Sequence, residues 1–294
     1  MGCGQKQNCL IDSRRSHDRQ TRPARLGIIG CAATHLFFNR SLLTSAATIG
    51  YMNIRICRDA DAANAAATDC LAEWLTDSST RNVMVAGGNT PLELYRRIAD
   101  RRLPLSHLNV FALDEYVGVP LNEPRNCANL LRSTVVKGWG LLAERFFALS
   151  SLEQDAFASV REHERRIASA GGLNVVLLGL GQNGHLGFNE PGSAADSDAR
   201  VLELAPSSVE ANREWFGGKY APTQGATVGL KTILAAQHIL VMAYGPHKAA
   251  TVREMIQGPR SADCPASFLQ NHPDTCVFVD KAAAAQLSRQ HRSQ

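Results

Sequence analysis

The chain has no apolar run near the roughly 18 residues that a membrane span requires. It has no Cys-x-x-Cys pair and no metal-ligand spacing among its 8 cysteines. It has no internal repeat, low-complexity tract or interdomain linker. These absences exclude a spanning helix, a zinc site of ordinary spacing and a solenoid, and no membrane partner is expected. A disulfide framework is not expected either, because Cys57, Cys70 and Cys276 sit inside apolar patterns, where a thiol behaves as a small hydrophobe. A reducing cytoplasm follows as the expected compartment. Aromatic residues make up only 6% of the chain, beside 45% hydrophobic and 20% charged residues, the make-up of an ordinary globular protein.

The body also lacks excess charge. Residues 1–51 carry seven basic side chains (Lys6, Arg14, Arg15, Arg19, Arg22, Arg25 and Arg40) against Asp12 and Asp18. The remaining residues carry 24 basic and 25 acidic ones, so the formal net charge of +4 belongs to the chain start. Nucleic acid is therefore not an expected partner. The first 51 residues show no clean amphipathic period and read as an N-terminal extension, either disordered or outside the natural chain. A strand pattern followed by a helix pattern begins at Met52.

From Met52 the chain alternates. Runs rich in Val, Ile and Leu at 53–57, 82–86, 108–113, 173–178, 238–244 and 275–279 predict strands. Helical patterns fall between them, at 60–76, 91–101, 125–137, 154–170, 206–216 and 247–257. This alternation predicts one α/β domain over 52–294: an open, mostly parallel sheet with helices on both faces, Rossmann-like and three-layered. In such sheets ligands bind beyond the carboxyl ends of the strands, which directs attention to four strand ends.

After the strand at 82–86 comes Gly87-Gly88-Asn89-Thr90-Pro91. Thr90 is placed to cap the next helix, with Glu93 completing a Thr-x-x-Glu capping box. Exposed amides there would suit a phosphate, and a plain capped turn accounts for the residues equally well. Glu93 must then point back at Thr90 or aside. After 108–113 come Asp114 and Glu115. Adjacent strand positions face opposite sides, so at most one of the two enters a cleft, where a partly desolvated carboxylate is a candidate base; taken alone, a solvated Asp-Glu pair in a turn accounts better for the two residues. After 173–178 comes Gly179-Leu180-Gly181-Gln182-Asn183-Gly184-His185-Leu186-Gly187-Phe188-Asn189-Glu190-Pro191. Its glycines let a ligand approach, His185 is a candidate acid–base group, and Glu190 can orient it. After 238–244 comes Gly245-Pro246-His247-Lys248, where a lysine in a first helical turn opposes the helix dipole and suits an anionic ligand. Together these residues describe an enzyme that handles a small phosphorylated metabolite.

Gly88-x-Thr90-Pro91, Leu113-Asp114-Glu115-Tyr116-Val117-Gly118 and Gly184-His185-Leu186-x-Phe188-Asn189-Glu190-Pro191 closely resemble the glucosamine-6-phosphate deaminase/isomerase family, over about residues 52–280. Asn183, where that family usually has Asp, and Pro265-Ala266-Ser267-Phe268-Leu269 look more like the galactosamine-6-phosphate isomerase branch. The resemblance implies conversion of a hexosamine 6-phosphate to a ketose 6-phosphate plus ammonia, without metal or cofactor. It implies that His185, held by Glu190 and Asn183, opens the sugar ring, and that Asp114 takes the C2 proton. It implies that Gly87, Gly88, Asn89, Thr90 and Lys248 hold the phosphate, with Arg213 the nearest match to a further family arginine and Glu115 behind the reacting groups. A homo-oligomer is an open expectation, since the family's regulated members are hexamers. Two alternatives remain. One is a 6-phosphogluconolactonase-type hydrolase, whose family shares the Gly-Gly-x-Thr-Pro turn but lacks Phe-Asn-Glu-Pro. The other is a non-catalytic sugar-phosphate sensor.

Overall fold

The computed structural model describes residues 52–288, so the expected N-terminal extension lies outside the described residues. In chain order the main elements are β1 (Asn53–Cys57), α1 (Ala60–Thr76), β2 (Asn82–Val85), α2 (Leu92–Asp100), β3 (Asn109–Ala112), β4 (Asp114–Val117) and α3 (Cys127–Leu131). Then follow β5 (Phe146–Phe147), α4 (Glu153–Ser169), β6 (Val175–Gly179), β7 (Arg200–Glu203), α5 (Pro206–Trp215) and β8 (Gln224–Thr227). The last are α6 (Leu230–Leu234), β9 (His238–Ala243), α7 (Ala249–Gln257) and β10 (Thr275–Asp280).

Seven strands form one sheet in the order β1-β10-β9-β6-β2-β3-β5, and every neighbouring pair in it is parallel. Alternation along each strand splits the core into two layers. Val176 and Leu178 of β6 face one side, with Ile167 of α4, Ile233 of α6 and Met255 of α7. Val175 and Leu177 face the other, with Leu71 of α1, Tyr95 of α2 and Leu131 of α3. Both faces are covered, which is why these strands read as continuous apolar runs. All six expected strands and all six expected helices are present, with the helix pattern at 247–257 realised as a short 3-10 turn (Pro246–Lys248) followed by α7. No helix among the described residues is long and apolar enough to cross a membrane.

A second, antiparallel sheet, β4-β8-β7, was not expected. Only Leu113 separates β3 from β4, so two strands with different partners read as one run and its turn. β8 (Gln-Gly-Ala-Thr) has too little β-branched content to stand out. This small sheet joins two of the strand-end segments. Asp114 is registered opposite Thr227 of β8, and the Thr227 hydroxyl accepts the backbone N–H of Phe188 at 3.2 Å. The segment after β3 and the loop after β6 are thereby tied to one ladder. In the large sheet, strand order rises outward from the β2–β6 pair, to β3 and β5 on one side and to β9 and β10 on the other, with β1 added at the far edge. Loops leaving those two strands diverge and leave a crevice between them.

Candidate active site

A cleft of about 330 Å³ opens at that switch point, within the size range of small-molecule sites. It is lined by Gly87 to Thr90 after β2, Asp114 of β4, Asn183 and His185 after β6, and Lys248 after β9. Four strand ends that are far apart in sequence meet there.

The turn after β2 is fixed from beneath. Tyr95 donates its hydroxyl to the carbonyl of Ala86 at 2.8 Å. A Cβ on Gly87 would lie 2.7 Å from the Cys127 sulfur, and Gly88 has φ +86°, so both positions call for glycine. The expected capping box is not formed. The residue preceding α2 is Pro91, and no side chain caps the helix. Pro91 extends the turn by one residue, so Thr90 is released to line the cleft. Glu93 turns aside to Arg96, with bonds of 2.6 and 2.9 Å, and to Arg97 at 2.7 Å. Those guanidiniums hold its carboxyl at about 2. The negative charge beside the glycine turn is thus paired off. Lys248 donates Nζ to the carbonyl of Leu180 at 2.6 Å, and burial lowers its pKa. The lysine is thereby clamped to the loop that carries the histidine.

In that loop Glu190 is the hub. Its Oε2 accepts from Asn183 Nδ2 at 2.7 Å and lies 3.3 Å from His185 Nδ1. Asn183 uses its other end as well, accepting the backbone N–H of His185 at 3.2 Å. Burial alone would raise the Glu190 carboxyl, but His185, Ser208 and Asn183 outweigh it and hold the group at about 2. The imidazole lies directly over Gly181, where a Cβ would approach the ring to 2.3 Å. The loop is anchored on its far side, where Thr251 of α7 donates to the Gln182 carbonyl at 2.5 Å.

Across the cleft, Asp114 is 7% exposed. Desolvation pushes its carboxyl up to about 6, against the lowering influence of the Cys127 thiol, His185 and the Gly87 amide. Glu115 faces away, as alternation predicts. Its Oε1 accepts the amides of Tyr116 at 2.8 Å and Cys127 at 2.9 Å, and its Oε2 accepts that of Ala128 at 2.8 Å. It caps α3 and does not enter the cleft.

Arg213 is not among the lining residues. It lies on the outer face of α5, 57% exposed and 3.5 Å from Glu210. The face of α5 that enters the cleft carries Ser207, Ser208, Ala211 and Asn212. Helical spacing of three and four residues puts these together and leaves Arg213 outside. The expected helix at 206–216 held that information, but its polar face went unread. Tyr116, which stands in the Leu113–Gly118 motif, and Cys127, which no sequence pattern marked, also line the cleft.

Among known proteins, the chain is 37% identical to the glucosamine-6-phosphate deaminase of Cutibacterium acnes, over 81% of this chain and 93% of that one. It is 37% identical to the enzyme of the same name from Leuconostoc citreum, over 80% of this chain and 100% of that one. A solved monomeric glucosamine-6-phosphate deaminase superposes with a TM-score of 0.76 at 29% identity, covering 80% of this chain and 99% of that one. The 6-phosphogluconolactonase of Trypanosoma brucei shares the fold, with a TM-score of 0.68 at 21% identity over 81% of this chain and all of that one. Residues 58–278 match the model of the glucosamine-6-phosphate isomerases/6-phosphogluconolactonase family, and the chain belongs to that family.

Proposed function

We propose that the protein is an amino-sugar phosphate deaminase that converts glucosamine 6-phosphate and water to the ketose 6-phosphate and ammonia. The observation that carries this reading is that Asp114 and the His185–Glu190–Asn183 group line one cleft with the glycine turn and Lys248. The phosphate sits on Gly87, Gly88, Asn89 and Thr90, with Lys248 supplying positive charge. With its Nδ1 directed at Glu190, His185 presents Nε2 to the sugar. It takes the proton of the anomeric hydroxyl and returns it to the ring oxygen, which opens the ring. Asp114 removes the C2 proton, acidified by the adjacent C1 carbonyl, and delivers it to C1. The resulting imine at C2 is hydrolysed. A carboxyl raised to about 6 is a stronger base than an ordinary aspartate yet still ionised at neutral pH.

Asn183 stands where the glucosamine enzymes usually carry Asp, and its neutral amide places less negative charge beside the imidazole. That observation supports a second reading in which galactosamine 6-phosphate is the preferred epimer. Coupled detection of ammonia with both hexosamine 6-phosphates, run beside a lactone-hydrolysis assay on 6-phosphogluconolactone, tests the proposal. Ammonia from one of the epimers is the expected result. Lactone hydrolysis without ammonia release, or binding without turnover, would overturn it.

A further inference from the structure

Cys127 is buried in the cleft wall and has no part in the reaction sequence above. Its sulfur lies 3.6 Å from Oδ1 of Asp114. We propose that Cys127 is a positioning residue: its thiol donates to Oδ1 of Asp114 and fixes which carboxylate oxygen faces the substrate. The proposal rests on the reading of Asp114 as the base that takes the C2 proton.

Three observations support it. The thiol is confined. Cys127 is 3% exposed, and Gly87 packs so closely that a Cβ there would lie 2.7 Å from Sγ. The helix that carries it is fastened to the neighbour of Asp114, because the Cys127 amide donates to Glu115 at 2.9 Å. The thiol also stays protonated. Burial, reinforced by the carboxylates of Glu115 and Asp114, drives its pKa upward, so the group is a donor and not a nucleophile.

The groups facing Asp114 are few. They are His185 from the loop after β6, Tyr95 from α2, Glu115 and Tyr116 from β4 itself, and Cys127 from α3. His185 is the one basic group in that set, and the donors to the carboxylate are the Cys127 thiol and the Gly87 amide. An S–H is a weak donor. It orients the carboxylate while lowering its basicity less than an O–H or N–H donor would, which suits a group that must accept a carbon-bound proton.

The test compares Cys127→Ala and Cys127→Ser with the full-length wild type. Loss of the donor in Cys127→Ala is expected to lower kcat roughly 3- to 10-fold, the worth of one weak hydrogen bond, with KM changed less than about twofold. The acid limb of kcat/KM should move to higher pH in the same variant, and Cys127→Ser should recover most of the lost rate. Unchanged kcat and acid limb in Cys127→Ala overturn the proposal. So does an equal loss in both variants accompanied by a matching fall in Tm, which would mark a packing role. A second readout needs no turnover. The S–H stretching band of Cys127, isolated by infrared difference against Cys127→Ala, should shift as Asp114 titrates and become pH-invariant in Asp114→Asn. A pH-invariant band in the wild type overturns the positioning role. A shifting band in a protein that releases no ammonia overturns the proposed function alone.

Discussion

Asp114 combines two demands on a single side chain. As the proposed base it must be ionised, yet it lies in a desolvated wall that raises its carboxyl to about 6. An acid whose folded-state pKa is raised contributes stability that is fully present below its unfolded value near 3.9 and lost as pH rises through about 6. Near neutral pH the charged form therefore costs the fold roughly 1–3 kcal/mol. Asp114→Asn should abolish ammonia release while leaving sugar-phosphate binding nearly intact. It should also be as stable as the wild type or more so in thermal unfolding at neutral pH, with the difference vanishing as pH falls from about 6 to about 4. An active variant, or one that melts much earlier, would contradict this account. Glu190 has the opposite sign, because its carboxyl is depressed to about 2. Its contribution is present above about 4.3 and disappears as pH falls through about 2. At this scale the sequence was readable where alternation ruled, since the opposed directions of Asp114 and Glu115 follow from strand geometry alone. It misled at Thr90, because a capping box and an extended Pro91 turn are compatible with the same four residues.

The elements were legible where they were long or apolar and obscure where they were short. All six strands of at least four residues in the large sheet announce themselves through Val, Ile and Leu. The ladder that registers Asp114 against the histidine loop does not, since β4, β8 and β7 are four residues each and take their identity from pairing with one another. The histidine loop itself was readable through its glycines, and the structure explains one of them. Gly181 lies under the imidazole, so Gly181→Ala would force the ring to rotate away from Glu190. Because the obstructed atoms are a movable side chain and not backbone, unfolding midpoints should change little. A displacement of about 1 Å at a reacting group can cost about 100-fold, so kcat should fall by up to that factor. Equal losses in Tm and kcat would show instead that the loop has collapsed.

At the scale of the whole molecule, every residue assigned to the reaction lies between Gly87 and Lys248, and the first core contact among the described residues is made by Met52. We propose that a chain beginning at Met52 suffices for folding and turnover. Deleting residues 1–51 should leave kcat/KM within about twofold of the full chain, a difference of less than about 0.5 kcal/mol, and Tm within about 2 °C. A large loss of either would assign those residues a part in the enzyme. The wider plan was readable because strands alternating with helices admit few arrangements. Arg213 shows where such reading stops: the helix was found, but one residue of rotation decides which side chains meet the ligand.

Glu115 has a consequence for how this pocket can vary. The acid that anchors α3 and the acid assigned to the chemistry are consecutive letters, and the helix so anchored returns a thiol to the second of them. Sliding β4 by one place would exchange the two carboxylates and undo both tasks in one stroke. The cleft-facing positions of α5 that do not hold Glu190, Ser207 and Ala211, can be rewritten without disturbing that knot.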